Sequence, residues 1–205
     1  MNDIEILDLL MKGGTIIIIL LAMSILSLTI IIYKYIQFYF SNLKDHIAID
    51  KIYSLIKNKN LLEAKKLSEV TINPCSKIIL VIINTKGMKK EQVEGELTIQ
   101  GELILRKHSY LLKPLEVIAN LSPLLGLLGT IIGMIIAFSS LEKAGSNVDP
   151  SILAGGIWQA LLTTALGLIV AIPSLASFYW FDNKIDYLRE DLRHAAINTS
   201  NLIKD

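Results

Sequence analysis

A chain of 205 residues that is 52% hydrophobic and 19% charged, with a mean hydropathy of +0.52, lies outside the soluble globular class and inside the membrane class. Its single cysteine, Cys75, excludes a disulfide framework and fits a reduced compartment. The formal net charge of +1 conceals an asymmetry, because 14 of the 20 Lys and Arg fall between residues 34 and 113.

Taken in order, residues 2–12 place Ile4, Leu7 and Met11 on one helical face, away from Asp3, Glu5, Asp8 and Lys12, which predicts a short interfacial helix. The acidic start and the lack of a small-residue cleavage site argue against a signal peptide. Residues 15–32, TIIIILLAMSILSLTIII, form an uncharged run of 18 residues, long enough to span a bilayer. Ser24, Ser27 and Thr29 within it can bond back to their own backbone, so this span reads as a lipid-facing wall. Tyr33, Tyr35, Phe38, Tyr39 and Phe40 then mark an interface.

The segment 34–113 is too apolar for a linker. Ile52, Leu55, Ile56, Leu61, Leu62, Leu67 and the run IILVII at 78–83 require burial, which predicts packed helices broken at Asn73-Pro74 and Lys86-Gly87. A helix from about Lys90 carries Val93, Leu97, Ile104 and Leu111 toward the next span. The basic excess here, 14 Lys and Arg against 8 Asp and Glu, needs no nucleic-acid partner, since positive-inside topology accounts for it. The scattered His46, His108 and His194 lack metal-ligand spacing and read as solvated; no metal site or cofactor is expected.

Two further runs, IANLSPLLGLLGTIIGMIIAFSSL at 118–141 and IWQALLTTALGLIVAIPSLASFYW at 157–180, contain 24 residues each without a charge. Both exceed the length that crosses a bilayer. Gly126, Gly129, Gly133 and Gly167, with Ala137, Thr163 and Ala171, supply small residues at steps that let helices approach closely. Pro123 and Pro173 each free a backbone carbonyl inside a span. Thr130 and Thr164 could form one polar layer, within ~7 Å in depth. Thr163 points about 100° from Thr164, so only one of the two can line a cavity while the other packs. None of the three apolar runs, 15–32, 118–141 and 157–180, carries Asp, Glu, Lys, Arg or His, so a proton relay would need an acid brought by another helix.

The tail places Ile185, Leu188, Leu192, Ala195, Thr199 and Leu202 at alternating steps of three and four, a seam for another helix. It reads as a continuation of span three, packed against the extended start of span two. Lys34, Lys44, Arg106, Lys107 and Lys113 near the span ends predict a cytoplasmic basic loop, an outward N-terminus and a cytoplasmic C-terminus.

The stretches LSPLLGLLGTIIGMIIAF and GIWQALLTTALGLIVAIP resemble the MotA/TolQ/ExbB proton-channel family, most closely its ExbB/TolQ branch, over residues 114–181. That resemblance implies an inner-membrane homopentamer around an ExbD- or TolR-like partner whose transmembrane aspartate carries the proton. It implies work done on TonB or the Tol-Pal system from proton-motive force. Its pore threonines correspond to Thr130 in GLLGT and Thr164 in LLTTA, with Gln159 and Thr163 possible neighbours of the pore. Where the branch commonly has Gly-Ile-Ala-Glu-Ala, this chain has Gly156-Ile157-Trp158-Gln159-Ala160, and Gln159 cannot titrate.

The expected fold is all-α: a polytopic membrane protein with three transmembrane helices, a helical cytoplasmic domain, and long helices extending from spans two and three. The expected layout is an interfacial helix at 1–12, spans at 13–33, 114–141 and 154–181, a cytoplasmic domain at 34–113, a periplasmic loop at 142–153 and a cytoplasmic tail at 182–205. The function expected is a non-enzymatic, ExbB-like channel and motor subunit in the bacterial inner membrane. The alternatives are a TolQ subunit for envelope integrity and, from another class, a non-conducting membrane scaffold.

Overall fold

A computed structural model describes residues 14–41, 46–144 and 150–204; the expected interfacial helix at 1–12 lies outside these. Seven helices are described: α1 (Gly14–Phe40), α2 (His46–Lys57), α3 (Leu61–Val70), α4 (Pro74–Asn84), α5 (Lys90–Ser109), α6 (Leu112–Ala144) and α7 (Pro150–Lys204). No strand occurs among the described residues. The expectation of an all-α fold with three spans holds: α1, α6 and α7 are each long and apolar enough to cross a membrane. The chain divides into two compact units, Met1–Ile32 with Leu111–Tyr179, and Tyr33–Tyr110 with Trp180–Asp205.

In the first unit α1 is more selective than its composition suggests. Ile17, Leu20, Ser27 and Ile30 form a buried stripe, while Ile18, Leu21, Ile25, Leu26, Leu28 and Ile32 face outward. Ser27 and Thr29 donate to the carbonyls of Ser24 and Ile25, so their hydroxyls present no unpaired donor to an apolar medium. Broad outward faces on all three long helices suit hydrocarbon or other apolar helices, where water would penalise them.

The second unit has a core of Ile49, Ile52 and Ile56 from α2, Ala64 from α3, Ile78, Ile79 and Ile82 from α4, Ile104 from α5, and Leu188, Leu192 and Ala195 from α7. The tail seam is therefore filled by α2, α3 and α4 together with α5, the helix that leads toward span two but is separate from it. The physical reason is a break: Leu111 adopts φ +68, and Pro114 has no N–H with which to continue the ladder to Tyr110. Helix α5 thus stops at Ser109 and α6 begins afresh at Leu112.

The predicted punctuation at 73–74 and 86–87 is present. Asn73 Oδ1 accepts from the Cys75 N–H at 2.9 Å with Pro74 opening α4, and Gly87 turns the chain at φ +92. A third break has no glycine to announce it. Lys59 sits at φ +59, its N–H donating to Ile56 O at 2.9 Å while the Asn60 N–H donates to Leu55 O at 3.0 Å. That is a Schellman end to α2.

One sequence expectation is corrected here. His108 is not solvated: it is 5% exposed, beside a completely buried Lys34, because side chains of α1 receive the last turn of α5.

Candidate functional site

Helices α6 and α7 meet antiparallel along a seam of small residues. Ala137 faces Gly156, Gly133 faces Ala160, Gly129 faces Thr163, and Gly126 lies against Thr163, Thr164 and Gly167. The fit leaves no room for a side chain. A Cβ at Gly129 would stand 2.5 Å from Thr163 Oγ1, one at Gly167 would stand 2.6 Å from Ser122 O, and one at Gly156 would collide with Ala137 Cβ. Gly156 and Ala160 belong to this seam although sequence reasoning passed over them; their signal was the four-residue step from Gly156 through Ala160 to Thr164.

The seam decides which way each threonine points. Thr163 is 2% exposed and lies within the contact, its Oγ1 donating to Ala160 O at 2.7 Å and lying 3.3 Å from Gly126 O. Thr164 is half-buried and donates across the hairpin to Gly126 O at 3.1 Å. Thr130, also half-buried, donates within its own helix to Leu127 O at 2.6 Å. Taking the seam as reference on ideal helices, Thr130 and Thr164 are rotated by roughly 55° and 75° toward the same flank, and Gln159 by roughly 65° toward the other. Thr164 is level with Gly126, so Thr130, four residues on, lies about 6 Å further along the axis.

Pro123 and Pro173 sit inside unbroken helices. Each has a fully buried serine beside it, Ser122 and Ser174, whose hydroxyls donate to Ile118 O and Val170 O at 2.7 Å. These bonds keep the polar atoms next to each proline paired inside the span.

Beyond Thr130 the surface of α6 forms a groove of about 600 Å³ lined by Ile131, Met134, Ile135, Phe138, Ser139 and Glu142. Glu142 is exposed and stands at the end of the uncharged run. The hairpin interior itself offers hydroxyls and carbonyls and no titratable group. Cys75, in the other unit, is buried; burial, reinforced by the charge of Asp191, pushes its thiol up to about 12, which removes the thiolate that nucleophilic chemistry requires. Among the described residues no group of three His, Cys, Asp or Glu could hold a metal ion.

Comparison with known proteins gives one family. The family described as "MotA/TolQ/ExbB proton channel family" matches residues 60–194. A protein of Synechocystis named putative biopolymer transport protein ExbB-like 3 is 31% identical over 168 residues, covering 80% of this chain and 79% of that relative. A second from the same organism, ExbB-like 1, is 32% identical over 182 residues, covering 85% of this chain and 69% of the relative. The biopolymer transport protein exbB1 of Vibrio cholerae is 37% identical over 87 residues, 40% of this chain and 38% of its own length.

Proposed function

The chain belongs to the MotA/TolQ/ExbB proton channel family, and from that premise we propose that it is an ExbB-like subunit of a proton-driven motor in the bacterial inner membrane. Several copies form a ring, a pentamer by analogy with the family, around a partner of the ExbD or TolR type. That partner brings a transmembrane aspartate. Proton flow through the assembly moves a periplasmic arm that acts on TonB for outer-membrane uptake. The N-terminus lies on the periplasmic side and the basic segment in the cytoplasm, as the lysine asymmetry supports.

The observation that carries this reading is the common flank of Thr130 and Thr164 beside a seam too tight to hold anything itself. Two hydroxyls on one flank of the helix contact, each giving its hydrogen to a carbonyl and leaving its oxygen free to accept, suit a polar layer offered to another helix. The threonines position the partner's acid by hydrogen bonds and do not change charge. Gln159, on the opposite flank, serves an intersubunit or lipid-facing surface and carries no proton.

Valine substitution tests the reading, because it keeps shape and removes only the hydroxyl. Thr130→Val and Thr164→Val should abolish proton-motive-force-dependent uptake at unchanged membrane abundance, whereas Thr163→Val should be milder. Full activity in both flank variants would reduce the threonines to helix packing and favour a non-conducting scaffold.

A further inference from the structure

We propose that Lys34 and His108 form an acid-sensitive latch that fastens the C-terminal end of α5 to α1. Lys34, Gln37, Phe38 and Ser41 lie at successive steps of three, one and three, on one face of α1 and the turn that ends it. Lys34, with no exposed surface, donates through Nζ to His108 O and, at 2.8 Å, to Gln37 Oε1. Gln37 Nε2 donates to Lys107 O at 3.1 Å. Two of the last carbonyls of α5, which no helical N–H can reach, are thus received by side chains of α1, one of them cationic.

His108 reads the charge of this cluster. Its Nδ1 lies 2.8 Å from Ile104 O, an acceptor only, so Nδ1 carries the hydrogen. Its Nε2 lies 3.1 Å from Ser41 Oγ, which is also 2.8 Å from Gln37 O. In neutral histidine Nε2 accepts the Ser41 hydrogen; in the protonated ring Nε2 donates and the Ser41 hydrogen turns to Gln37 O. The hydroxyl serves both states, so the Ser41 contact does not choose between them, while the bond to Ile104 O favours the charged ring.

Charge does choose. The groups acting on the ring are Lys34 from α1, Lys77 from α4 and Lys107 from α5, all cationic, while α7 reaches the cluster through Phe181, stacked on Phe38. Burial first, and these lysines with it, outweigh the opposing bond to Ile104 O and hold the imidazole below its ordinary range. A histidine lowered by folding contributes stability that is full above its unfolded value near 6.5 and is lost as pH falls through that value toward the folded one. Acid therefore places a second cation against Lys34, and opening the joint relieves it.

The latch stands independently of the channel reading and is tested on the full chain in nanodiscs, without partner or gradient. Hydrogen exchange of the backbone amides at 104–110, corrected for intrinsic rates, should accelerate severalfold between pH 7.5 and 5.5. His108→Asn, which keeps a donor for Ile104 O but cannot titrate, should remove that acid response. Lys34→Met, which keeps the stem and deletes the cation, should move the midpoint of the response upward toward an ordinary histidine. Exchange that ignores pH in the unsubstituted chain, an undiminished acid response in His108→Asn, or an unmoved midpoint in Lys34→Met would each overturn the latch.

Discussion

Each threonine hydroxyl carries one hydrogen, and in this chain both flank threonines direct it to a carbonyl, Thr130 to Leu127 O and Thr164 to Gly126 O. Their oxygens are then left to accept, so the layer complements the O–H of a protonated acid better than a carboxylate. Intramembrane hydrogen bonds average ~0.6 kcal/mol and reach ~1.7, a modest term that gains weight when repeated around a ring. Serine keeps the hydroxyl, so Thr130→Ser and Thr164→Ser should retain most of the uptake that the valine variants lose. Equal losses from serine and valine would assign the effect to side-chain packing. A second residue-scale prediction concerns Gly129, where an added Cβ would meet Thr163 Oγ1 at 2.5 Å in a contact that cannot yield. Gly129→Ala should lower the thermal stability of the detergent-solubilised chain by the ~1–3 kcal/mol of an overpacked site. Gly101→Ala in α5 meets nothing within 4 Å and should raise it by roughly 0.5–1 kcal/mol.

At the level of elements, α2 closes on a lysine in the left-handed region where glycine costs least. Lys59→Gly relieves that backbone strain and should stabilise the second unit by roughly 1 kcal/mol, read as a raised melting midpoint. A lowered midpoint would show that the lysine side chain contributes more than its backbone costs. The same helices show where sequence is readable. Three spans follow from uncharged runs, and Asn73-Pro74 and Gly87 announce turns because their covalent chemistry leaves few other conformations. The break at Asn58-Lys59-Asn60 is hidden, since nothing local forbids the helix from continuing. The stop before α6 is half-hidden in Pro114. The tail's period marked the residues that would be buried, but not their partners, because Leu188 and Leu192 share a core with Ile52 and Ile79, which lie far away in sequence. His108 was misread for the same reason: polarity alone assigns it to the surface, and the bonds that tie it to Lys34 and Ser41 reach across some 70 residues. The choice between Thr163 and Thr164 likewise waited for the register of α6 on α7, since a 100° separation says only that the two differ.

For the whole molecule, sidedness is the property most directly measured. A cysteine introduced at Lys57 should be protected from a periplasmic thiol reagent, and one at Asn147 should be labelled; the reverse pattern would overturn the orientation. Cys75 does not confuse that experiment. With its thiol held up to about 12 and its side chain buried, the native chain should resist maleimide at pH 8 and react once denatured, and rapid reaction before denaturation would contradict the packing of α4. Assembly is tested by native mass measurement in mild detergent, where a ring of identical chains is expected and a stable monomer would argue against it.

The closeness of α6 and α7 has a consequence for the time before any ring exists. From Ser122 to Ala137 the two helices stand in direct contact, backbone on backbone at Gly126 and Gly167 and glycine against small side chains elsewhere, so water has no file to follow between them. A single newly inserted copy is therefore no leak along its own hairpin. On the proposed channel reading, unpaired copies held in an energised membrane do not short-circuit it, because the conducting route is built on the outer flank when other chains arrive.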